Sequence, residues 1–587
     1  MDEDKIARPV EVNSVGEQHI AIQTETFAID EGALGNNLPK HYYRSVGFIG
    51  TVIALALGSI SNLLGWSLPS NSLAIINADI GPSKNITWVA LAYTLGLSVG
   101  FLIIGRLSDI FGRRWFFIGG NAFSLVGSII GATASRVDSL IGANILNGLG
   151  GAVQISFTVA ISELVPNKHR PLWISGIFLS PIEFAGFGPV IAQTLAEKTA
   201  AGWRWSYYLN IIVTGLAVIL FFFCYHPPSF RQLHLDRSTR RQLARQDFVG
   251  LFLFTGGLII FLMGLSWGGI LYPWKSAHVI ASIVVGFVVL VIFVVYDAKF
   301  HKGDALLPMR LFKYRGYLAM VLTAMVGSCV YYSMTVLWPQ QISYLFGGSP
   351  THRGWLACVV GASFFIGQII GGPMCRWIPQ SRWLMVGATL VLLAFSAAMI
   401  TVGPGQESKG IGILFIACLT VGIVETCALA LAPLPLPTED IGVALGALGS
   451  IRSSGASVAT AIYTTILSNK LSDFTGPRVT QAALAAGLPQ DSLSALLTSL
   501  ASGDLSGVQG MNPTITAAVA AATASAAADA FKYVWYAVVA FACVAVIAAC
   551  FTVNYGDFMT DEVARKMHGR IVGEKKEEGL PEKDQEA

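Results

Sequence analysis

The chain alternates long apolar runs with short polar stretches. Because the hydrocarbon core of a bilayer is about 30 Å thick, a helix needs about 20 apolar residues to cross it. Fourteen runs predict fourteen transmembrane helices, near residues 46–78, 87–105, 115–134, 138–161, 171–194, 206–225, 248–267, 277–297, 317–340, 354–375, 383–402, 411–431, 441–467 and 531–553. The first run is longer than one span requires, so we predict a helix kinked at Pro69, where a backbone hydrogen bond is lost.

Polar breaks divide these runs into groups of six, two and six. The grouping predicts an all-α integral membrane fold, with two six-helix bundles and two inserted helices. The predicted domains are a disordered cytoplasmic tail (1–45), an N-terminal bundle (46–226), a basic linker with the inserted helices (227–316), a C-terminal bundle (317–553) and a cytoplasmic tail (554–587). Within the second bundle, residues 469–530 are predicted to form a long extracellular loop whose Ala-rich end, 514–530, is helical.

Positive charge is concentrated in alternate loops, beginning with the loop after the second span. Short cytoplasmic loops of membrane proteins carry such an excess, so both termini are predicted to be cytoplasmic. Composition supports the membrane assignment: 53% of residues are hydrophobic, 12% are charged and the mean hydropathy is +0.61. Soluble domains carry roughly 25% charged residues. The net charge of only +3 gives no indication of nucleic-acid binding.

The loop after the second span carries the most specific motif. Residues 105–115 read GRLSDIFGRRW, in which glycines permit a tight turn and an acid can pair with the arginines behind it. The pattern resembles the cytoplasmic loop 2–3 signature of the major facilitator superfamily. The residues that the resemblance assigns to conformational control are Gly105, Asp109, Gly112, Arg113 and Arg114, with Glu163 placed to join their charge cluster.

Other segments narrow the resemblance. Residues 77–83, 161–166, 202–205 and 225–228 are similar to the fungal trichothecene-efflux-pump family, in the fourteen-span drug:proton antiporter group. The likeness runs from about residue 45 to 555. It implies a monomeric exporter of small, mostly apolar metabolites or toxins, without a cofactor or metal, driven by protons across the plasma membrane. A siderophore-iron transporter, a non-transporting sensor of the same fold and a vacuolar or other internal membrane remain alternatives.

The chain also departs from the drug-antiporter pattern. Asn144 occupies the place of a usual arginine in the fourth span, and Ala192-Gln193 replaces the closing glycines after Gly188-Pro189. The first span has no acid within the membrane. These differences put the usual proton relay in question more than they do the fold.

Ionisable residues inside spans cost about 2.5–3.5 kcal/mol on insertion scales, so each needs a partner or a function. Glu183, Glu425 and Arg452 are the three such residues that we single out. Their depths along the helices place Glu425 and Arg452 where they can pair. The two residues could then form a structural ion pair or take part in proton handling, and both alternatives remain open. A buried carboxyl without a cation can hold a proton near neutral pH, so Glu183 is the preferred proton carrier and Glu425 the second. The resemblance assigns Arg452 a conformational role.

Uncharged polar and aromatic residues on the predicted cavity helices are candidates for substrate contact. They are Asn71, Gln154, Tyr331, Tyr332, Gln340, Gln341 and Gln368. The sequon Asn85-Ile86-Thr87 makes Asn85 a glycosylation candidate. The sequence contains neither an HExxH nor a P-loop motif, so neither a metalloprotease nor an ATP-driven pump is predicted. An ion gradient is then the remaining energy source for a small-molecule carrier.

Overall fold

The computed structural model describes residues 42–83, 85–227, 247–268, 272–300, 307–437, 440–502 and 509–559, which are almost entirely helical. The first ten helices are α1 (Val46–Asn71), α2 (Leu73–Ile80), α3 (Thr87–Phe111), α4 (Arg113–Ala132), α5 (Val137–Ile155), α6 (Phe157–Leu164), α7 (Arg170–Phe178), α8 (Ile182–Gly186), α9 (Gly188–Lys198) and α10 (Trp205–Cys224). Most of the two predicted tails lies outside the described residues.

The second half continues with α11 (Phe248–Trp267), α12 (Ala277–Val295), α13 (Arg315–Leu345), α14 (Pro350–Trp377), α15 (Ser381–Ala398), α16 (Glu407–Leu431), α17 (Ile441–Ala485), α18 (Leu493–Ser502) and α19 (Pro513–Cys550). Several helices begin at a side chain that accepts a backbone N–H of the first turn. Ser45, Ser276, Ser349 and Asn512 cap α1, α12, α14 and α19 in this way. Such caps satisfy donors that the helix itself leaves unpaired.

Within the described residues, 12 helical stretches are long and apolar enough to cross a membrane. This confirms the all-α membrane class. Two predicted spans are not among the 12. The fifth is broken into α7, α8 and α9, each too short to cross alone, and the thirteenth, in α17, is enriched in small polar residues around Arg452. The count of fourteen spans therefore stays a prediction, as do the domain boundaries.

The first span is interrupted near the proline identified in the sequence. Pro69 lies in the last turn of α1, and the helix ends two residues later at Asn71. Ser72 separates α1 from α2, with its backbone N–H donating to the Pro69 carbonyl at 3.1 Å. Helix α2 is therefore a separate short helix at the end of the N-terminal bundle.

The segment 469–530 is not a loop, contrary to expectation. Helix α17 continues to Ala485, α18 follows, and α19 already begins at Pro513, which confirms that the Ala-rich end is helical. The three elements enclose a small apolar core of Val479, Ala483, Leu488, Leu496, Ile515 and Val519. The Arg478 guanidinium pairs with the Asp529 carboxylate at 2.5 Å. Alanine and leucine favour helix, so the segment extends two spans rather than merely connecting them.

The helices pack as two groups, α1 to α10 and α13 to α19. They meet along two seams, one between α3 and α17 and the other between α7–α9 and α14. The inserted helices α11 and α12 pack on each other, and α11 attaches the pair to α3 and α17. This arrangement leaves a space between the two groups, flanked by α1 on one side and α13 on the other.

We predict that the α17–α19 extension lies outside the cell. An epitope tag inserted between α18 and α19 should bind antibody on intact cells, because the Lys/Arg distribution places this connection on the outer side. Tags at either terminus should bind only after permeabilisation and serve as matched controls. A tag between α18 and α19 that is reached only in permeabilised cells would contradict the predicted topology.

Candidate functional site

Three cavities lie in a row between the two helix groups. The largest, which we call the outer vestibule, has a volume of about 780 Å³ and is lined by the ends of α1, α9 and α13, by α2 and by the first turns of α14. A narrow neck of about 10 Å³ shares Asn71, Pro189 and Thr335 with the vestibule and Tyr331 with the third cavity. That third, central cavity measures about 30 Å³. Of these three cavities in the described structure, the vestibule alone has a volume typical of a small-molecule site.

An ion pair borders the central cavity. Arg452 of α17 pairs through Nη1 with Oε1 of Glu425 on α16, and both side chains are buried, with 2% and 4% of their surface exposed. The Arg452 guanidinium also lies over the Phe101 ring of α3, 6.0 Å from its centroid. Desolvating two charges is costly, and their mutual attraction offsets this cost only while both partners remain. The pair expected from helix depth is therefore present, and it faces the space between the bundles.

Aromatic side chains line the central cavity. Tyr331 stacks on Phe364 with ring centroids 3.8 Å apart, and Tyr332 lies against Trp66 at 5.9 Å. Trp66 in turn stacks on Tyr93 at 5.1 Å. Offset-stacked and tilted ring pairs contribute about 0.5–1.5 kcal/mol each beyond their burial. Tyr331 lines both the central cavity and the neck, so its ring stands between the charged pair and the vestibule.

The signature loop closes the cytoplasmic side of the α3–α17 seam. Gly105 lies so close to α17 that a Cβ atom there would be 2.9 Å from the Val443 Cα. Arg113 donates to the Glu163 carboxylate at 2.6 and 3.2 Å and also to Ser108. A Cβ on Gly442 of α17 would lie 2.7 Å from the Arg113 guanidinium. The motif thus holds α17 of the second helix group against the first.

Gly112 supplies the turn that the motif requires. Its φ of +87° belongs to a region that L side chains rarely adopt, and it connects α3 directly to α4. Arg114 points away from the seam and donates to the Phe222 carbonyl of α10. The side chain of Asp109 lies outside the described part of the structure, so its predicted pairing stays a prediction.

The second seam is also closed at its cytoplasmic end. Ser175 of α7 donates to the Gln368 carbonyl at 2.7 Å and accepts from the Gly372 N–H at 3.0 Å. A Cβ on Gly372 would lie 2.3 Å from the Pro171 carbonyl oxygen. Both seams are in contact on the side of the signature loop and the vestibule lies on the other side, so with the predicted topology this arrangement is outward-facing.

Five of the seven predicted cavity residues line the row of cavities. Tyr331, Tyr332 and Gln368 border the central cavity, whereas Asn71 and Gln340 line the vestibule. Gln154 and Gln341 are buried elsewhere. Gln154 donates to Ser61 at 2.8 Å and to Asn121 at 3.1 Å, and Gln341 accepts from Trp535 at 3.4 Å. These two side chains connect helices within one bundle, so their predicted substrate contact lacks support from the geometry.

Glu183 does not occupy the buried position that its assignment assumed. It lies in the five-residue helix α8, and its side chain is exposed on the surface of the described structure. Its role as proton carrier stays a prediction. Asn85 is exposed just before α3, and the side chain of Thr87 lies outside the description, so glycosylation also stays a prediction.

The sequence reading missed several residues of the central cavity. Ser59, Asn62 and Trp66 of α1 line it together, as does Phe365 of α14. The spacing of the three α1 residues could have identified them, because residues three and four apart lie on the same helix face. Polar or amphipathic residues repeated at that spacing within an apolar span would have indicated the face of α1 that borders the cavity.

Two helix groups meeting along paired seams, a cavity between them and a charged turn that closes one side define a transporter of the major facilitator class. The sequence model described as fungal trichothecene efflux pump (TRI12) matches residues 18–584. The chain belongs to this family, which confirms the resemblance and makes it a multi-pass membrane transporter rather than an enzyme.

Individual relatives agree with this membership. The trichothecene efflux pump TRI12 of Fusarium sporotrichioides is 28% identical over 542 residues, covering 91% of this chain and 90% of the relative. The MFS-type transporter prx5 of Penicillium rubens is 28% identical over 511 residues, covering 85% and 90%. Among solved structures, the proton:xylose symporter XylE is 13% identical with a TM-score of 0.48, covering 86% of this chain and 94% of that one.

Proposed function

We propose that this protein exports small, mostly apolar metabolites or toxins across the plasma membrane of a fungal cell in exchange for protons. The observation that carries the proposal is the buried Glu425–Arg452 pair beside the central cavity, on the path that leads through the neck to the outer vestibule. Efflux pumps among the relatives support the direction of transport.

Of the two acids, Glu425 borders the central cavity, so it is the proposed site of proton binding on the transport path. Its carboxylate is buried and paired with a guanidinium that keeps its charge at any physiological pH. A proton reaching Glu425 from the vestibule would remove the ionic attraction between α16 and α17 and leave Arg452 unpaired. Such a change favours a different packing of these helices, as alternating access requires. The order predicted from the sequence, Glu183 before Glu425, is therefore reversed here.

The shape of the path supports an apolar substrate. In the outward-facing arrangement the central cavity has room for little more than one water, whereas the vestibule has the volume of a small-molecule site. The vestibule wall combines Leu73, Ile75, Pro189 and Pro339 with the amides of Asn71, Gln193 and Gln340. Apolar walls with a few hydrogen-bonding groups suit a compact, weakly polar compound at the stage of release.

The proposal is tested by efflux of a radiolabelled trichothecene from loaded cells, with and without a protonophore. Efflux should stop when the proton gradient collapses, and a pH-sensitive dye should report proton entry during efflux. Efflux that is insensitive to the protonophore would rule out proton coupling. Net uptake of an iron–siderophore complex would favour the alternative substrate class, and the absence of any flux for either compound would favour a sensor.

A further inference from the structure

Two segments that the family resemblance singled out meet at the outer end of the N-terminal bundle. Asp79, in the last turn of α2, accepts at Oδ2 from the Trp203 indole N–H at 2.9 Å and from Arg204 Nη1 at 3.0 Å. The sequence separates these partners by 124 and 125 residues. Nothing in the transport path described above uses this cluster, although it joins α2 to the start of α10.

The cluster is anchored on the bundle side. The Arg204 guanidinium lies 4.4 Å from the Trp203 ring centroid and donates to the Ala134 carbonyl at 3.3 Å, next to the connection between α4 and α5. Trp203 is 3% exposed and packs in an apolar cluster with Ile76 of α2. Cation–π contact and carboxylate hydrogen bonds act together here, so Trp203 and Arg204 form a fixed surface onto which α2 docks.

Three residues of α2 also border the vestibule, and two of them, Leu73 and Ile75, pack against the Ile76–Trp203 cluster as well. Leu73, Ile75 and Asn77 line that cavity, and Asn77 Oδ1 accepts from the Ser83 N–H at 2.9 Å to close the end of the helix. Because the helix is interrupted at Ser72, α2 is a separate segment that is joined to α1 through one residue. The position of this vestibule wall therefore depends on its contacts with Trp203 and Arg204 and on the burial of Ile76.

The charge of the cluster is maintained outside the cell. Hydrogen bonds from Trp203 and then from Arg204 lower the pKa of the Asp79 carboxyl below its ordinary value of 3.8. The carboxylate consequently stays an ionised acceptor in neutral and mildly acidic surroundings.

We propose that Asp79, Trp203 and Arg204 form a clamp that fixes α2 as a rigid wall of the outer vestibule and so positions the exit of the transport path. Asp79 is a positioning residue in this account, because it acts through Leu73, Ile75 and Asn77 rather than by touching the ion pair. The consequence for transport rests on the proposed export function, whereas the consequence for the position of α2 does not.

The position of α2 is tested by cysteine accessibility in intact cells. Ile76→Cys places a thiol behind the clamp, at a side chain that is fully buried, and Gln340→Cys places one at an exposed position of the vestibule wall as a positive control. Labelling by a membrane-impermeant maleimide is compared with the parent chain to subtract its own cysteines. Adding Asp79→Ala or Trp203→Phe should raise the labelling rate of Ile76→Cys about fivefold or more, because local opening exposes the thiol.

Asp138→Asn provides the matched control, since Asp138 is an exposed acid at the outer end of the same bundle. It should leave the labelling rate unchanged, and Arg204→Lys, which keeps the charge, should give a smaller increase than Arg204→Gln. Slow labelling of Ile76→Cys in every clamp variant, at equal surface expression, would overturn the clamp.

The effect on transport is measured separately. Asp79→Ala should reduce the maximal rate of trichothecene efflux about fivefold while leaving the half-saturating internal concentration unchanged, because the clamp affects the exit and not loading from the cytoplasm. A changed half-saturating concentration with an unchanged maximal rate would overturn the positioning role. If the wild-type chain exports no trichothecene, the proposed function fails, and the labelling results still decide whether the clamp holds α2.

Discussion

Glu425→Gln is expected to abolish proton-driven efflux while the protein still reaches the membrane. Glutamine keeps the shape of the side chain but cannot bind and release a proton. Proton entry can then no longer drive substrate efflux. The substitution also leaves Arg452 buried without its counter-ion, and breaking a buried pair in this way costs about 3–5 kcal/mol. We therefore expect both the loss of coupling and a less stable protein, which separate variants must distinguish.

The double variant Glu425→Gln/Arg452→Gln makes that distinction. Removing both charges eliminates the uncompensated guanidinium, so thermal stability in detergent should recover toward the wild-type value while gradient-driven efflux remains lost. Glu183→Gln is the matched control. It also changes an acid in a predicted span, but the side chain of Glu183 is exposed. Persistence of protonophore-sensitive efflux in the double variant would move the proton carrier away from Glu425. Loss of efflux in Glu183→Gln alone would return it to Glu183.

The central ion pair could be predicted because it depended on depth and charge alone. Counting along two helices placed Arg452 near mid-depth and Glu425 about a turn nearer the cytoplasm, within reach of each other, and an isolated charge in a membrane needs a partner or a function. The charged cluster of the signature loop was also predicted, because Gly112 and Arg113 belong to the motif and Glu163 was placed at the cytoplasmic end of the fourth span. In both cases the depth of a charge along its span indicated the contact.

The surroundings of Glu183 could not be derived in this way. A continuous helix would let its face be extrapolated from neighbouring residues, but the fifth span breaks on both sides of α8, after Pro181 and at Phe187. Each break resets the rotation of the next segment. Gln154 and Gln341 show a related limit, because a buried amide bonds to whichever neighbour the helix rotation presents, and that rotation is set by packing of the whole bundle.

The conformational state was likewise absent from the sequence. A cycling carrier must be compatible with both outward- and inward-facing packing, so its residues cannot favour one strongly. What the structure adds is the set of contacts found only when the cytoplasmic side is closed. Gly105 against Val443 and Ser175 against Gln368 join the two helix groups, and each must separate for the path to open inward.

Arg113→Ala is expected to shift the protein toward the inward-facing arrangement and slow transport, with the protein still present in the membrane. Arg113 packs against Gly442 across the seam while pairing with Glu163 within its own bundle. Its loss removes contact from the cytoplasm-closed state, and a difference of about 1.4 kcal/mol between states changes their ratio tenfold. The signature motif predicts a change in the same direction for Asp109→Ala.

A cysteine on the other seam reports this shift. Ser175→Cys is buried between α7 and α14 when the cytoplasmic side is closed, so a membrane-impermeant maleimide applied to inside-out vesicles should label it about tenfold faster in the Arg113→Ala background. Arg114→Ala is the matched control, because the neighbouring arginine contacts Phe222 of its own bundle and should not affect the seam. Equal labelling in both backgrounds, or wild-type efflux rates in Arg113→Ala at equal expression, would show that the motif does not hold the cytoplasmic side closed. Faster labelling in the Arg113→Ala background, but not in the Arg114→Ala background, would show that Arg113 couples the two seams. The reporter at Ser175 and the substitution at Arg113 lie on opposite sides of the cavity, so the effect must pass from one seam to the other.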